Sequence, residues 1–580
     1  MFSFFSSRSK KDARRSESGR FRILLGFFLI AGLIVGIRVF VLAVVHNKEY
    51  REMADQQYGL SKVMPSRRGK IFFQDKFGAR ITAAEDSVVK TLIAAPKNIE
   101  DPVDAAEKLS GILGIRADIL REQLQKPDDP YELIAKDLPE DTAKKVADLK
   151  MAGLSLQATV KRYYPHKELA AHVLGFRGYN DALNDWRGVY GVEKEYDRDL
   201  ASGGITPDEF ATNLLFIGRR TPDTAPEGTD VLLTIDYNIQ ERAEEELQSL
   251  VPTWVAESGM VLILEPRTGR ILASASSKKF DPNEYFNVED YSVFTNPVVE
   301  ATYELGSVFK PITMAAAVNE GVVNGQSTYY DEGVLKFGSY SIYNFDLRSY
   351  GTQTMTQVLE KSLNTGAVHV ERLLGKERFK KYVEAFGFGE TTDSDLPNEV
   401  SGTIANLNSN RDLEYATASF GQGIAVTPIQ MAQAVGAIAN GGVRMRPHVV
   451  DGLIDESGTV RAFEPEARGQ VISKEAAEEI TKMLVSVVRV GYENRAGVQG
   501  YFVAGKTGTA QIPNAESRGY SSDVIHSFVG YAPAFNPKFL VYMQLTKPQG
   551  NRFAANTLTR AFHNLAEFIL NYYEIPPDEK

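Results

Sequence analysis

The longest hydrophobic pattern in the chain is an apolar run at residues 23–45, in which Arg38 is the single polar interruption. As a helix, these twenty-three residues would extend about 34 Å, which exceeds the roughly 30 Å hydrocarbon core of a bilayer. Seven lysines and arginines precede the run against two acidic residues, and positive charge stays on the cytoplasmic side. We therefore predict a cytoplasmic tail at residues 1–22, a transmembrane anchor at residues 23–45 and an exterior remainder. The length of the run disfavours a cleaved signal peptide.

Beyond this run, shorter patterns alternate between the strand period and the helix period. Gly69–Phe73 has the composition of a strand that ends at a Lys76–Gly78 turn. Helical patterns follow at about 102–125 and 139–150. These segments predict mixed α/β structure up to Arg220–Gly228, a passage rich in proline, glycine and threonine that indicates a domain joint.

After that joint the pattern predicts a second folded region with strands at both of its ends. The predicted elements are a strand at Asp230–Ile235, a helix from Asn238 to Leu250, a hairpin of Met260–Glu265 and Arg270–Ala275, a helix-rich stretch to about residue 440, strands at Phe502–Lys506, Ser527–Tyr531 and Phe539–Leu545, and a closing helix at 554–572. We therefore predict two exterior domains, at residues 46–225 and 226–575. In the second, the sheet of one α/β domain combines distant segments.

Composition narrows the possible functions. A chain of 580 residues exceeds one hydrophobic core and predicts two or three domains. The net charge of −10 argues against a nucleic-acid-binding face. The absence of cysteine excludes disulfides, zinc–thiolate sites and thiol nucleophiles, and it suits an exported protein. The seven histidines have no metal-ligand spacing, so neither a metal nor a cofactor is predicted.

A serine and a lysine one helical turn apart, Ser307 and Lys310, provide the first candidate chemistry. Side chains at this spacing share a helix face. An amine that is kept unprotonated in a dry site can accept the hydroxyl proton and make the serine a nucleophile. The same spacing recurs at Ser276 and Lys279 beside a charged step, and we interpret that pair as solvated and on the surface.

Two further motifs follow along the chain. Ser362-Leu363-Asn364 comes next, and Lys506-Thr507-Gly508-Thr509 lies much further on. Each motif is weak by itself, because such short strings occur by chance in long chains. Their order and spacing together match the three-part set of penicillin-binding proteins and class A β-lactamases.

On these residues the chain resembles the class B penicillin-binding proteins, and most closely their division-specific, penicillin-binding protein 3-like branch. The resemblance includes Arg68–Ile71, Arg162–Pro165, Gly188–Glu193 and Phe420–Gly423. It implies an α/β fold, with a serine β-lactamase-like transpeptidase domain of antiparallel sheet and helices, preceded by a single transmembrane helix and an α+β pedestal domain. We interpret the arginines and the glutamate of these segments as buried structural ion pairs, and the glycines of Phe420–Gly423 as sites of close backbone packing.

The resemblance also implies roles for the site residues. The substrate is a peptidoglycan stem peptide that ends in D-Ala-D-Ala, and Ser307 attacks the penultimate D-Ala carbonyl to form an acyl-serine. Lys310 is the implied base, Ser362 passes a proton toward the leaving amine, and Asn364 anchors Lys310 and the substrate amide. The substrate-binding segment for the terminal carboxylate is Lys506, Thr507, Gly508 and Thr509. Backbone N–H groups of Ser307 and Thr509 form the implied oxyanion hole.

Several alternatives stay open. An elongation-type, penicillin-binding protein 2-like transpeptidase has the same motifs, and a catalytically inert divisome scaffold or a β-lactamase is a more distant interpretation. A β-lactamase has no use for an anchor or for an exterior N-terminal region of this size. The acidic pairs of residues 47–225 lack the continuation of a glycosyltransferase motif, so polymerase activity is not predicted.

The resemblance further implies a location and partners. The expected location is the cytoplasmic (inner) membrane, with the catalytic domain outside. The expected partners are peptidoglycan stem peptides, β-lactams, a membrane-embedded polymerase of the SEDS type and other cell-division proteins. Neither nucleic acid nor a cofactor is among them.

Overall fold

The computed structural model describes residues 67–579 except 127–128, 130, 181–184, 202–227, 456 and 515–518, together with the isolated positions 30, 33 and 38. The predicted tail and, but for those three positions, the predicted anchor at residues 23–45 lie outside the described residues. In the described part of the chain, no helix has both the length and the apolarity to cross a bilayer.

The region before residue 202 is built from short helices around two long strands. In chain order its elements are β1 (Ile71–Gln74), β2 (Arg80–Ala94), α1 (Pro102–Leu113), α2 (Ala117–Leu124), β3 (Glu132–Leu138), α3 (Glu140–Asp148), β4 (Leu154–Tyr163), α4 (Ala171–Leu174), β5 (Arg177–Asn180), β6 (Asp185–Gly188), α5 (Gly191–Glu195) and α6 (Asp197–Leu200). The predicted strand at 69–73 is confirmed as β1. The helical patterns at 102–125 and 139–150 are confirmed too, with Gly114 in the left-handed conformation (φ 69°) ending α1.

The region after residue 228 alternates strands and helices. Its elements are β7 (Asp230–Asp236), α7 (Tyr237–Thr253), β8 (Ser258–Leu264), β9 (Ile271–Ser276), α8 (Lys310–Asn319), β10 (Thr328–Asp331), β11 (Val334–Phe337), β12 (Tyr340–Tyr343), β13 (Gly351–Thr354), α9 (Met355–Glu360), α10 (Asn364–Leu374), α11 (Lys376–Ala385), α12 (Asp412–Ala418), α13 (Pro428–Ala439), β14 (Val443–Met445), β15 (Val450–Ile454), β16 (Val460–Ala462), β17 (Ala467–Gln470), α14 (Lys474–Ser486), β18 (Ala504–Pro513), β19 (Tyr520–Ala532), β20 (Phe539–Thr546), α15 (Ala554–Thr557) and α16 (Thr559–Tyr572). The elements predicted at both ends of this region are confirmed. The pattern gave no indication of β10–β13 or of β14–β17.

The predicted sheet of distant segments is present. Among the described residues, five antiparallel strands form one sheet in the order β18-β19-β20-β8-β9. The β8–β9 hairpin therefore pairs with a strand that lies far along the chain, with Met260 opposite Gln544. Helices α7 and α16 pack together against this sheet, and α13 and α14 contact it as well. This architecture leaves β18 at one edge.

A second sheet joins the two regions of the chain. Seven of the described strands form it, in the order β16-β15-β7-β1-β2-β3, with β4 also paired to β2. Strand β1 lies parallel to β7, with Ile71 opposite Val231. The same large hydrophobic core contains Phe73, Val192 and Leu200 of the first region and the core strands of the second. A separate, smaller core forms around Leu92, between β2, β3, α1, α2 and α3.

A buried ion cluster connects the beginning of the first region to its end. Glu193 is fully buried and accepts one hydrogen bond of 2.7 Å from Arg68 Nε and another of 2.7 Å from Arg162 Nε. Arg162 Nη1 lies 3.2 Å from a carboxylate oxygen of Asp86. These side chains stand away from the cavity described below, and their charges are paired with one another. The interpretation of these residues as structural ion pairs is confirmed.

Replacement of the central carboxylate in this cluster should destabilise the protein strongly. Glu193→Gln leaves two buried guanidinium groups without their shared anion, and breaking a buried ion pair costs about 3–5 kcal/mol of unfolding free energy. Chemical denaturation of the purified protein measures the change. Glu195→Gln, an exposed position on the same helix α5, is the control and should change stability by less than about 0.5 kcal/mol. Equal effects of the two substitutions would contradict a structural role for the cluster.

Candidate active site

A cavity of about 880 Å³ opens beside the edge strand β18. Its lining combines residues that are far apart in the sequence, and among them are five of the predicted site residues, namely Ser307, Ser362, Asn364, Thr507 and Thr509. Lys310 and Lys506 are buried next to this lining, with exposed fractions of 1% and 0%. The fold therefore brings all three sequence motifs to one place.

A single turn of 3₁₀ helix, Gly306–Phe309, carries Ser307 into the first turn of α8. Gly306 has a φ of +64°, and its N–H donates to the carbonyl of Gly421 at 3.1 Å. Gly421 has a φ of +80°, and a Cβ there would lie only 2.3 Å from the Gly306 carbonyl oxygen. The turn is thus held against the Phe420–Gly423 loop by a contact that only glycine allows. The prediction of close backbone packing in that loop is confirmed.

Strand β18 lies on the other side of the Ser307 turn. It carries the Lys506-Thr507-Gly508-Thr509 segment, as expected, on the edge of the sheet. A Cβ at Gly508 would lie 2.5 Å from the carbonyl oxygen of Leu305, so this position also permits a close approach. The Tyr492 hydroxyl accepts a hydrogen bond of 2.7 Å from the Thr507 N–H and bonds the Thr507 hydroxyl at 2.9 Å. The Gly508 position thus lets the strand approach the turn, and the Tyr492 bonds hold Thr507 in place within the strand.

The hydroxyl of Ser362 lies between two lysine amines. Lys506 Nζ donates to Ser362 Oγ at 3.0 Å and to the Thr507 carbonyl at 3.0 Å. Lys310 Nζ approaches the same Ser362 Oγ at 3.3 Å. It also donates to the Ser362 carbonyl and, at 2.8 Å, to Asn364 Oδ1. The three motifs are therefore connected by direct hydrogen bonds.

The segment between α9 and α10 is shaped for these contacts. Ser362 has a φ of +56°, a left-handed conformation that is strained for a residue with a side chain and that occurs preferentially at functional sites. Leu363 turns into the hydrophobic core and is 1% exposed, so it does not contribute to the cavity lining. Asn364 begins α10, and its Nδ2 donates to the Tyr343 carbonyl at 2.8 Å. That bond orients the amide oxygen toward Lys310.

Burial lowers the pKa of both amines. Burial, and then the positive charge of Lys506, hold the pKa of Lys310 well below its ordinary value. Burial alone lowers the pKa of Lys506 to about 7. A neutral amine has two N–H groups, and the Ser362 carbonyl and Asn364 Oδ1 accept both of them from Lys310. Its lone pair is then free to accept a proton.

A buried carboxylate that sequence reasoning missed supports this segment. Asp331 is 1% exposed and accepts hydrogen bonds from the Thr365 hydroxyl at 2.6 Å, from Asn344 Nδ2 at 2.9 Å and from the Tyr350 N–H at 2.9 Å. It thereby ties the start of α10 to the 344–350 segment. Neither Asp331 nor Tyr492 belongs to a motif, so the sequence contained no signal for either.

The structure of the second serine–lysine pair, Ser276 and Lys279, differs from what the sequence predicted. Lys279 forms an ion pair of 2.6 Å with Glu244, and Ser276 is buried at the end of β9 with 7% exposure. The interpretation as a solvated surface pair was wrong, because the end of β9 is covered by α7. The pair is structural and stands outside the cavity lining.

Comparisons with known proteins identify the family of this chain. The model of the penicillin-binding protein transpeptidase domain matches residues 259–567, and that of the penicillin-binding protein dimerisation domain matches residues 63–206. Stage V sporulation protein D of Bacillus subtilis is 32% identical over 92% of this chain and 82% of its own length. Peptidoglycan D,D-transpeptidase FtsI of Escherichia coli is 27% identical over 99% of this chain and 96% of its own. The crystal structure of penicillin-binding protein 2X from Streptococcus thermophilus has a TM-score of 0.74 at 24% identity, covering 88% of this chain and 80% of that one.

At the cavity that Ser307 lines, two lysine amines contact the Ser362 hydroxyl, and the described lining contains no histidine. The chain belongs to the penicillin-binding protein transpeptidase family. Because a dimerisation domain precedes its transpeptidase domain, it is a class B penicillin-binding protein, and its activity is that of a serine-type D-Ala-D-Ala transpeptidase.

Proposed function

We propose that this chain cross-links peptidoglycan stem peptides through an acyl-serine on Ser307, with the neighbouring residues in the roles given below. The observation that carries the proposal is the Ser362 hydroxyl, which lies within hydrogen-bond distance of both Lys310 and Lys506 at the cavity that Ser307 lines. A hydroxyl in that position can move a proton between two amines and a bound substrate. Such an arrangement serves acyl transfer by serine without a histidine base.

Lys310 acts as the base for acylation. Burial and the charge of Lys506 hold the pKa of Lys310 well below the ordinary value, which favours the neutral amine, and two of its three contacts are to oxygens that accept its N–H groups. The oxygen of Ser307 bonds to the penultimate D-Ala carbonyl carbon while its proton passes to Lys310. The backbone N–H groups of Ser307 and Thr509 stabilise the oxyanion, and loss of one such donor typically lowers the rate by about 10²–10³.

Ser362 returns the proton to the leaving group. As the C–N bond of the terminal D-Ala breaks, the proton on Lys310 passes through the Ser362 hydroxyl to the departing amine. The amine of a neighbouring stem then attacks the acyl-serine, forms the new amide and gives up a proton along the same route. Ser307 regains its hydroxyl proton, so the cycle closes without a net change in the enzyme.

The Lys506–Thr509 segment receives the terminal carboxylate. Lys506 supplies positive charge, and Thr507 and Thr509 supply hydroxyl donors. The Thr509 hydroxyl oxygen accepts a hydrogen bond of 3.1 Å from the Ala554 N–H, so its own O–H is free to donate to the substrate. Asn364 holds Lys310 in place through its side-chain oxygen. It also anchors the amide group of the substrate.

Removal of the nucleophile tests the central assignment. Ser307→Ala should abolish covalent labelling by a fluorescent penicillin, because alanine has no hydroxyl oxygen that could form the ester bond. The thermal unfolding temperature should stay close to that of the unaltered protein. Ser341→Ala, another serine that lines the cavity, is the matched control and should label normally. Labelling that persists in Ser307→Ala would remove Ser307 as the nucleophile.

The charge of Lys506 should appear in the pH profile of acylation. The amine has a pKa of about 7 in the free enzyme, and only its protonated form attracts the carboxylate of penicillin. The second-order acylation rate, which reports free-enzyme pKa values, should therefore decline as the pH rises through about 7. In Lys506→Arg the guanidinium stays charged, so the decline should disappear even if the absolute rate is lower.

The control for this profile is Lys361→Arg, an exposed lysine at the cavity, which should keep the decline. An identical decline in Lys506→Arg would assign the titration to another group.

The domain division is proposed as the hydrophobic pattern suggests: a cytoplasmic tail at 1–22, an anchor at 23–45, a pedestal at 46–225 and a transpeptidase domain at 226–575. Separate family matches on either side of residue 225 support this division. The anchor would hold the enzyme in the cytoplasmic membrane with the catalytic part outside, within reach of a SEDS-type polymerase. Full-length similarity to E. coli FtsI supports septal rather than lateral synthesis.

Imaging separates these two sites of action. A fluorescent fusion of the full chain should concentrate at the division site if the enzyme serves septal synthesis. A uniform lateral distribution, unchanged between dividing and non-dividing cells, would favour the elongation-type alternative. The Ser307→Ala fusion is the control, because localisation should not require acylation.

A further inference from the structure

Neither of the two basic side chains that line the cavity has an ion-pair partner among the described residues, and one of them, Arg552, is ordered without any strong hydrogen bond. Two basic side chains, Lys361 and Arg552, line the cavity together with one acidic side chain, Asp346. Lys361 Nζ donates to Gln353 Oε1, and the Asp346 carboxylate accepts from the Tyr350 hydroxyl. Within the described part of the chain, Arg552 forms no ion pair; its side chain makes one hydrogen bond, of 3.4 Å, from Nη2 to the Phe345 carbonyl. The cavity thus contains an unmatched guanidinium.

The guanidinium is nevertheless held in a defined orientation. Its central carbon lies 4.7 Å from the centroid of the Phe345 ring, and Phe345 in turn meets Phe553 edge to face at 5.5 Å. A guanidinium that stacks on an aromatic ring keeps its N–H edge available, and that edge matches the geometry of a carboxylate. The stack therefore presents ordered donors on an otherwise exposed side chain.

The stack also connects the two walls of the cavity. The Phe345 segment is attached to the catalytic motif through the bond from Asn364 to the Tyr343 carbonyl. The Arg552 segment is attached to the substrate-binding strand through the bond from Ala554 to Thr509. The Arg552–Phe345 contact is thus fixed from both sides relative to the residues that handle the scissile end of the stem peptide.

We propose that Arg552, stacked on Phe345, binds a carboxylate of the donor stem peptide other than its C-terminal one. The proposal rests on the proposed function, in which Lys506 and its neighbouring threonines take the terminal carboxylate. An internal carboxylate on the same peptide can meet the guanidinium of Arg552, which is ordered by Phe345 and has no ion pair among the described residues. A carboxamide at that place offers no charge and a single acceptor, so the site selects stems with a free internal carboxyl over amidated stems.

Equilibrium binding to the Ser307→Ala protein tests the proposal without turnover. The probes are fluorescent synthetic stem pentapeptides that end in D-Ala-D-Ala, with every internal carboxyl free or with one of them amidated at a time. One of the amidated peptides, the one that lacks the carboxylate bound by Arg552, should have a dissociation constant about tenfold higher than that of the peptide with every carboxyl free. This is the effect of losing one charge-assisted hydrogen bond at a partly exposed site. Arg552→Gln should remove this preference, with the acid peptide weakened to the level of the amide and the amide unaffected.

Two further variants sharpen the result. Arg552→Glu should invert the preference, because it places like charges together. Arg560→Gln, an exposed arginine on α16 outside the cavity lining, should keep it. The proposal is overturned if acid and amide peptides bind the Arg552-containing protein equally, if the preference survives Arg552→Gln, or if that variant weakens both peptides equally. Failure of the proposed function would appear separately, as absence of penicillin labelling at Ser307 in the protein with Arg552 intact.

Discussion

The burial of two lysine amines against one hydroxyl is the constraint on which the site depends. Moving an ammonium ion out of water costs several kcal/mol even after relaxation, and a second cation nearby adds repulsion. Both penalties favour the neutral amines: they hold the pKa of Lys310 well below its ordinary value, and burial lowers the pKa of Lys506 to about 7. With water in the site, both amines would return to pKa values above 10, and the serine would have no base. Exclusion of water is therefore a catalytic requirement as well as a packing preference.

The segments around the site exclude water by packing backbone closely against backbone. Gly306, Gly421 and Gly508 let the serine turn, the loop and the edge strand approach to distances that a Cβ would prevent. Strand β1 of the N-terminal region pairs with β7 in the other, seven-stranded sheet, and its Phe73 belongs to the same hydrophobic core as the catalytic domain. The N-terminal region is consequently part of the packing around the catalytic domain.

Charge is distributed unequally between the depth of the cavity and its mouth. In the depth, every N–H group that a neutral Lys310 has is already accepted by protein oxygens. At the mouth, the guanidinium of Arg552 is ordered by an aromatic ring and lacks an anion among the described residues. The first arrangement favours proton transfer, which needs a preset geometry. The second favours recognition, which needs a charge that the substrate completes.

The sequence by itself determined the order of the three motifs and the periodic helices and strands at both ends of the catalytic region. These features have local signatures, such as side-chain spacing or a period of two or 3.6 residues. Only the tertiary structure decided the short strands β10–β13, the Asp331 support of α10 and the burial of Ser276. It also brought Arg552 to Phe345 from a distant part of the chain. Contacts between remote segments leave no periodic trace in the sequence, and the pKa values of the two lysines follow from burial, which exists only once the chain has folded.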